Sequence, residues 1–104
     1  MNAASPDATP ATGAFAASER GWGFSGALTF DDAADVLEAS RSLALPEAAT
    51  VDMSGLAHAD SAALAVLIAL KRRAAAEGRT LAIVGLPQSL HSLAVVYGIE
   101  DLLA

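Results

Sequence analysis

His58, Asp60 and Ser61 place the three residue types of a nucleophilic hydrolase at the front of one short stretch, "HADSAALAVLIAL", residues 58–70. A serine becomes a nucleophile when a histidine takes its proton and a carboxylate orients that histidine, and such groups ordinarily meet across a fold rather than along one turn of chain. Neither a G-x-S-x-G elbow nor a glycine-rich oxyanion loop surrounds Ser61, and no phosphate-cradling P-loop occurs anywhere in the chain. The residues therefore read as non-catalytic. A second chemistry suits them better. Ser or Asp at a helix start accepts hydrogen bonds from free backbone N–H groups. If Asp60 does this, the Ser61 hydroxyl is spare, and it sits at the positive end of the helix dipole. A partner's hydrogen bond or an added phosphate is stabilised there, so Ser61 is also a candidate phosphorylation site.

The composition narrows what such a site could serve. The chain has 104 residues, 12 acidic and 6 basic, for a net charge of −6. It lacks the cationic surface that nucleic acid or anionic lipid requires. There is no cysteine and only two histidines, so neither disulfides nor thiolate or histidine metal sites are expected, and no cofactor is implied. One domain, residues 13–104, is expected, because a chain of this size buries well over half of its unfolded surface. Residues 1–12 are Ala, Pro, Thr, Ser and Asp with nothing to bury, the composition of a disordered tail without a basic leader or apolar block. A cytoplasmic location follows as the expectation. The uncharged run from Thr80 to Ile99 is long enough to span a bilayer, but Gly85, Pro87, Gln88, Ser89 and His91 break it, and it reads as a strand followed by a helix. No direct membrane insertion is expected.

These residues need a frame. Phe15, Trp22, Phe24 and Leu28 flank a Glu-Arg-Gly turn, the pattern of an antiparallel hairpin. Trp22 reads as a core or edge-packing aromatic, with a ligand platform as the alternative. Thr29 and Asp32 form a T-x-x-D start for a first helix, with Ala33, Val36, Leu37 and Ser40 on one face. The Asp31–Asp32 pair is explained by capping, with metal binding as the less economical reading. "AATVDMSGL" reads as a strand ended by a glycine turn and "RTLAIVG" as a second strand, its unbroken apolar run Leu81–Val84 suiting burial on both faces. A helix from about Ser61 to Glu77, stopped by Gly78, joins them into a parallel βαβ unit. A last helix from Pro87 to Gly98 carries Leu90, Leu93, Ala94 and Tyr97 on one stripe, with His91 facing solvent.

The long helix carries two apolar faces. Ala63, Val66, Leu67, Leu70 and Ala74 form a stripe for the sheet. The opposite face holds Ser61, Ala65, Ile68 and Arg72, with Leu64 and Ala69 at its margins, and charge enters only with Lys71, Arg72 and Arg73. Two readings compete for this face. Alanine is a strong helix former, and an isolated exposed Ile or Leu is ordinary. Alternatively, small residues let a partner approach while Ile68 and Leu64 contribute buried area.

The segment from Val51 to Leu103 resembles the STAS domain, which occurs in anti-sigma factor antagonists and in transporter subunits. The resemblance rests on a strand ending in Asp52, Met53 and Ser54, then a short turn, then Asp60 followed by Ser61 at the start of a long helix. It implies an α/β fold: a small mixed sheet with an N-terminal hairpin, a central βαβ unit and three to four helices on the sheet. The ending "LPQSLHSLAVVYGIEDLL" is similar to the MlaB branch, the cytoplasmic STAS subunits of a bacterial phospholipid ABC transporter that maintains outer-membrane lipid asymmetry. That branch implies a non-catalytic subunit, peripheral at the inner membrane, bound to the ATPase subunit within a complex that also contains the permease. The resemblance carries the interface role to Ser61, and with the helix face it implicates Asp60, Ser61, Ala62, Leu64, Ala65, Ile68 and Arg72 in partner binding. The alternative it implies is an anti-sigma factor antagonist, bound by an anti-sigma factor kinase that phosphorylates Ser61. The family usually has glycine where this chain has Ala63. Alanine favours ordinary helix there by up to about 1 kcal/mol.

Overall fold

Alternation of large apolar with small or polar residues gives the first segment its form. β1 (Ala14–Ser18) and β2 (Gly21–Leu28) pair antiparallel with Phe15 opposite Phe24. A two-residue period sends Phe15, Trp22 and Phe24 to the same side, where the Phe15 ring lies 4.9 Å from Phe24 and 5.4 Å from Trp22. Trp22 is a core aromatic: it is buried, and its indole Nε1–H donates to the Ala44 carbonyl at 3.1 Å. The computed structural model describes residues 13–103, so the tail expected over residues 1–12 lies outside the described residues.

Helix α1 (Ala33–Ser40) starts as its T-x-x-D sequence requires. Asp32 Oδ2 accepts the Thr29 hydroxyl at 2.9 Å and the Thr29 N–H at 3.3 Å, while the Thr29 carbonyl accepts the N–H groups of Asp32 and Ala33. The Asp32 carboxylate thus closes the turn onto Thr29, one half of a capping box, while the Thr29 hydroxyl donates to it rather than accepting a helix N–H. β3 (Thr50–Ala59) follows, then α2 (Ala62–Ala76), β4 (Ala82–Val84), α3 (Gln88–Tyr97) and α4 (Glu100–Leu103). The sheet order is β1-β2-β3-β4, with β2, β3 and β4 mutually parallel. The expected central βαβ unit is therefore present, and β2–α1–β3 forms a second parallel crossover ahead of it. No helix among the described residues is long and apolar enough to cross a membrane, and the Thr80–Ile99 run divides into β4 and α3.

The core lies on one side of the sheet. Phe15, Trp22, Phe24, Val51 and Met53 meet Ala63, Val66, Leu67, Leu70 and Ala74 of α2, the stripe its 3.6-residue period assigns to the sheet. Asp52 and Ser54, which alternate with the buried residues of β3, are exposed on the other side.

Three local expectations are corrected. The glycine read as the end of the third strand lies inside it: β3 runs through Gly55, where the pairing with β2 shifts register. A Cβ at Gly55 would fall 2.4 Å from the Phe24 carbonyl oxygen, so close approach of two backbones, rather than a turn, explains the glycine. β4 is an edge strand, and Val84, opposite Asp52 on the side away from the core, is 43% exposed. Tyr97 shares the α3 period with buried Leu90 and Ala94, yet it is 57% exposed because the helix ends there, with Gly98 at φ +70.

Candidate partner-docking site

The candidate site is built where the parallel strands β2 and β3 hand over to helices. β2 ends at Leu28 and β3 at Ala59, paired with each other, so the turns into α1 and α2 leave the sheet side by side. Crevices beyond the carboxyl ends of parallel strands are where open α/β sheets place their functional groups. Asp60 ties the two turns together. One carboxylate oxygen accepts the Ala62 N–H at 2.9 Å, capping α2, and the other accepts the Phe30 N–H at 3.0 Å. Both oxygens are thus occupied by backbone donors. His58, exposed on β3, makes no hydrogen bond to Asp60 or Ser61 among the described residues.

Ser61 is exposed at the first turn of α2 and makes no side-chain cap bond, the consequence of Asp60 taking that task. Around it, Phe30, Ala33, Ala34, Asp60, Ala62 and Ala65 line an open concavity of about 570 Å³ between the starts of α1 and α2. A second concavity of about 350 Å³ lies further along the same two helices, lined by Leu37, Ser40, Arg41, Ala69, Leu70 and Arg73. Ala65 and Arg72 are exposed and Ile68 is half-buried, so an outward strip of α2 continues from Ser61 through these residues.

Leu64 is corrected. It is 1% exposed and belongs to the core, so it contributes nothing to the outer face. α4 packs against α2, and Ile99 and Leu103 are among the partly buried residues that complete the core. One flank of the long helix is therefore covered from within the chain, and α1 borders the other. The cationic end of α2 also turns largely inward. Lys71 Nζ donates to the Leu81 carbonyl at 2.9 Å, and Arg73 donates to the carbonyls of Ser40 and Leu43 at 3.2 and 2.7 Å, while Arg72 is exposed.

Sequence reasoning missed the contribution of α1. Phe30 is 81% exposed beside Ser61. A helical period carries Phe30 onto the same stripe as Ala33 and Leu37, but it precedes the helix, where the turn held by Asp60 sets its direction. A large aromatic inside the capping sequence "TFDD" was the available signal.

Asp52 and Ser54 of the family-like strand motif stand apart from this site. Asp52 is the last residue of β3 to pair with β4 and Ser54 follows two residues on, whereas Asp60 and Ser61 follow the strand's other end. Asp52 Oδ1 accepts the Ser54 N–H at 2.9 Å, and this bond, with the Ser54 hydroxyl second, holds the Asp52 carboxyl below its ordinary pKa. Their role is local to the strand. Among the described residues no three His, Cys, Asp or Glu side chains are grouped to hold a metal ion.

A family model described as "Mlab, STAS domain" matches residues 24–104, which includes both turns of the site. No curated protein matches the chain.

Proposed function

This chain belongs to the Mlab-type STAS domain family, and we propose that it is a non-catalytic subunit that docks on the ATPase subunit of a phospholipid ABC transporter. In this reading it is cytoplasmic, held at the inner membrane through the ATPase and permease, and supports assembly or activity of a transporter that maintains outer-membrane lipid asymmetry. The observation that carries the proposal is the exposed Ser61 with no cap bond, beside an apolar concavity at the joined starts of α1 and α2. A hydroxyl with spare hydrogen-bonding capacity at the rim of small apolar residues suits a close protein contact. The docking residues are Asp60, Ser61, Ala62, Ala65, Ile68 and Arg72.

Capture of the purified ATPase subunit by the full chain tests this. Ser61→Asp and Ile68→Asp each put a charge into the contact and are expected to abolish capture and to weaken the lipid barrier in cells, since an unpaired charge in a packed interface costs several kcal/mol. Intact capture and an intact barrier in both variants would overturn the proposal. The anti-sigma antagonist reading is decided by the same material: intact mass of the protein from cells would carry one added phosphate at Ser61, and a kinase rather than an ATPase would co-purify.

A further inference from the structure

We infer that Phe30 is the anchor of the docking contact, that Asp60 is the residue holding it in place, and that the partner meets it with an apolar pocket bordered by basic side chains. The inference rests on the docking function proposed above and adds the residue and the partner chemistry. Phe30 is 81% exposed although the turn that carries it is bonded by the side chains of Asp32 and Asp60. Its N–H is bound by Asp60 at 3.0 Å, and the residues flanking it are fixed by the Thr29–Asp32 cap. A phenyl ring presented this way loses little backbone freedom when it is buried, and aromatic residues that enter a partner's pocket dominate binding energy.

Charge specifies what surrounds that pocket. From Thr29 to Ser40 the chain carries Asp31, Asp32, Asp35 and Glu38 and no Lys or Arg. Asp31, Asp35 and Asp60 are all exposed, and the nearest following cation, Arg41, pairs with Glu38 at 3.5 Å. Asp60 lines the concavity with Phe30, and Asp31 and Asp35 follow Phe30 in the next turn of chain, so an apolar ring in an acidic segment is complemented by an apolar pocket bordered by basic groups, which also speeds encounter at low salt. Asp60 thus has two tasks, capping α2 and positioning Phe30, and the second reaches the partner.

Affinity of the full chain for the purified ATPase subunit, measured across salt concentrations, tests this. Phe30→Ala is expected to weaken binding about 30-fold or more, the loss typical of a truncated anchor, with the melting temperature unchanged because the ring is exposed. Asp31→Lys combined with Asp35→Lys is expected to slow association and flatten its salt dependence. Asp60→Ala is expected to weaken binding in the native background and to do so much less in the Phe30→Ala background, a coupling that loss of the helix cap alone does not produce. Ile68→Asp serves as the reference. If it abolishes binding while Phe30→Ala and the double Lys variant bind within about 3-fold of the native chain, near the spread of neutral interface contacts, the anchor inference is overturned and the docking function stands. If the native chain itself does not bind the ATPase, both are overturned.

Discussion

The guanidinium carbon of Arg73 lies 5.8 Å from the centre of the Trp22 ring, and the two side chains are bonded to one connecting segment: Arg73 to the carbonyls of Ser40 and Leu43, Trp22 to that of Ala44. A charge near the C-terminal end of α2 is therefore part of the frame that holds the end of α1 against the sheet. Arg73→Ala is expected to lower stability by about 1–3 kcal/mol, from two carbonyl bonds and one cation–π contact. Arg73→Lys should recover only part of this, because an ammonium cannot fork between two carbonyls while lying flat on an indole. Urea denaturation gives the ordering; capture of the ATPase by the folded variants should be unchanged.

Leu64 and Ala65 are neighbours in sequence with opposite tasks. Leu64→Ala opens a cavity in the core and is expected to cost about 2–5 kcal/mol of stability, with docking retained at temperatures where the chain is folded. Ala65→Asp, at an exposed position in the first turns of α2, should change stability by less than about 0.5 kcal/mol and abolish docking. Denaturation and capture on the same two variants separate fold from interface. A stable Leu64→Ala chain that fails to bind would return Leu64 to the docking surface.

Asp52 should titrate below the ordinary carboxylate value of about 3.9 when followed by NMR. Its folded pKa is depressed, so its contribution to stability is present above the unfolded value and is lost as pH falls through the folded one. Ser54→Ala removes the hydroxyl but leaves the backbone N–H, the larger of the two causes. The midpoint should therefore rise only part of the way. A full return would show that the hydroxyl dominates.

The elements of this chain were legible because their signals are local. Asp60 as cap and Gly78 as stop bound α2, and the period of Ala63, Val66, Leu67, Leu70 and Ala74 names its buried stripe without reference to anything distant. The T-x-x-D cap of α1 and the aromatic alternation of the hairpin are likewise contained within a few residues. The hairpin and the parallel βαβ unit followed from them, and the mixed sheet from the family resemblance.

What covers each surface was decided only in three dimensions. Periodicity states that Leu64 is apolar and off the sheet stripe, but in the fold it is enclosed by the hydrophobic core and leaves the surface. Gly55 looks like a turn until β2 is seen passing close enough to forbid a side chain. Phe30 joins Asp60 and Ser61 because β2 and β3 end in register and one carboxylate spans both turns, a contact between residues 30 positions apart. Amino-acid order by itself determined which segments coil, extend and bury a face. The docking surface was decided by the tertiary structure, because exposure depends on which distant element arrives to exclude water.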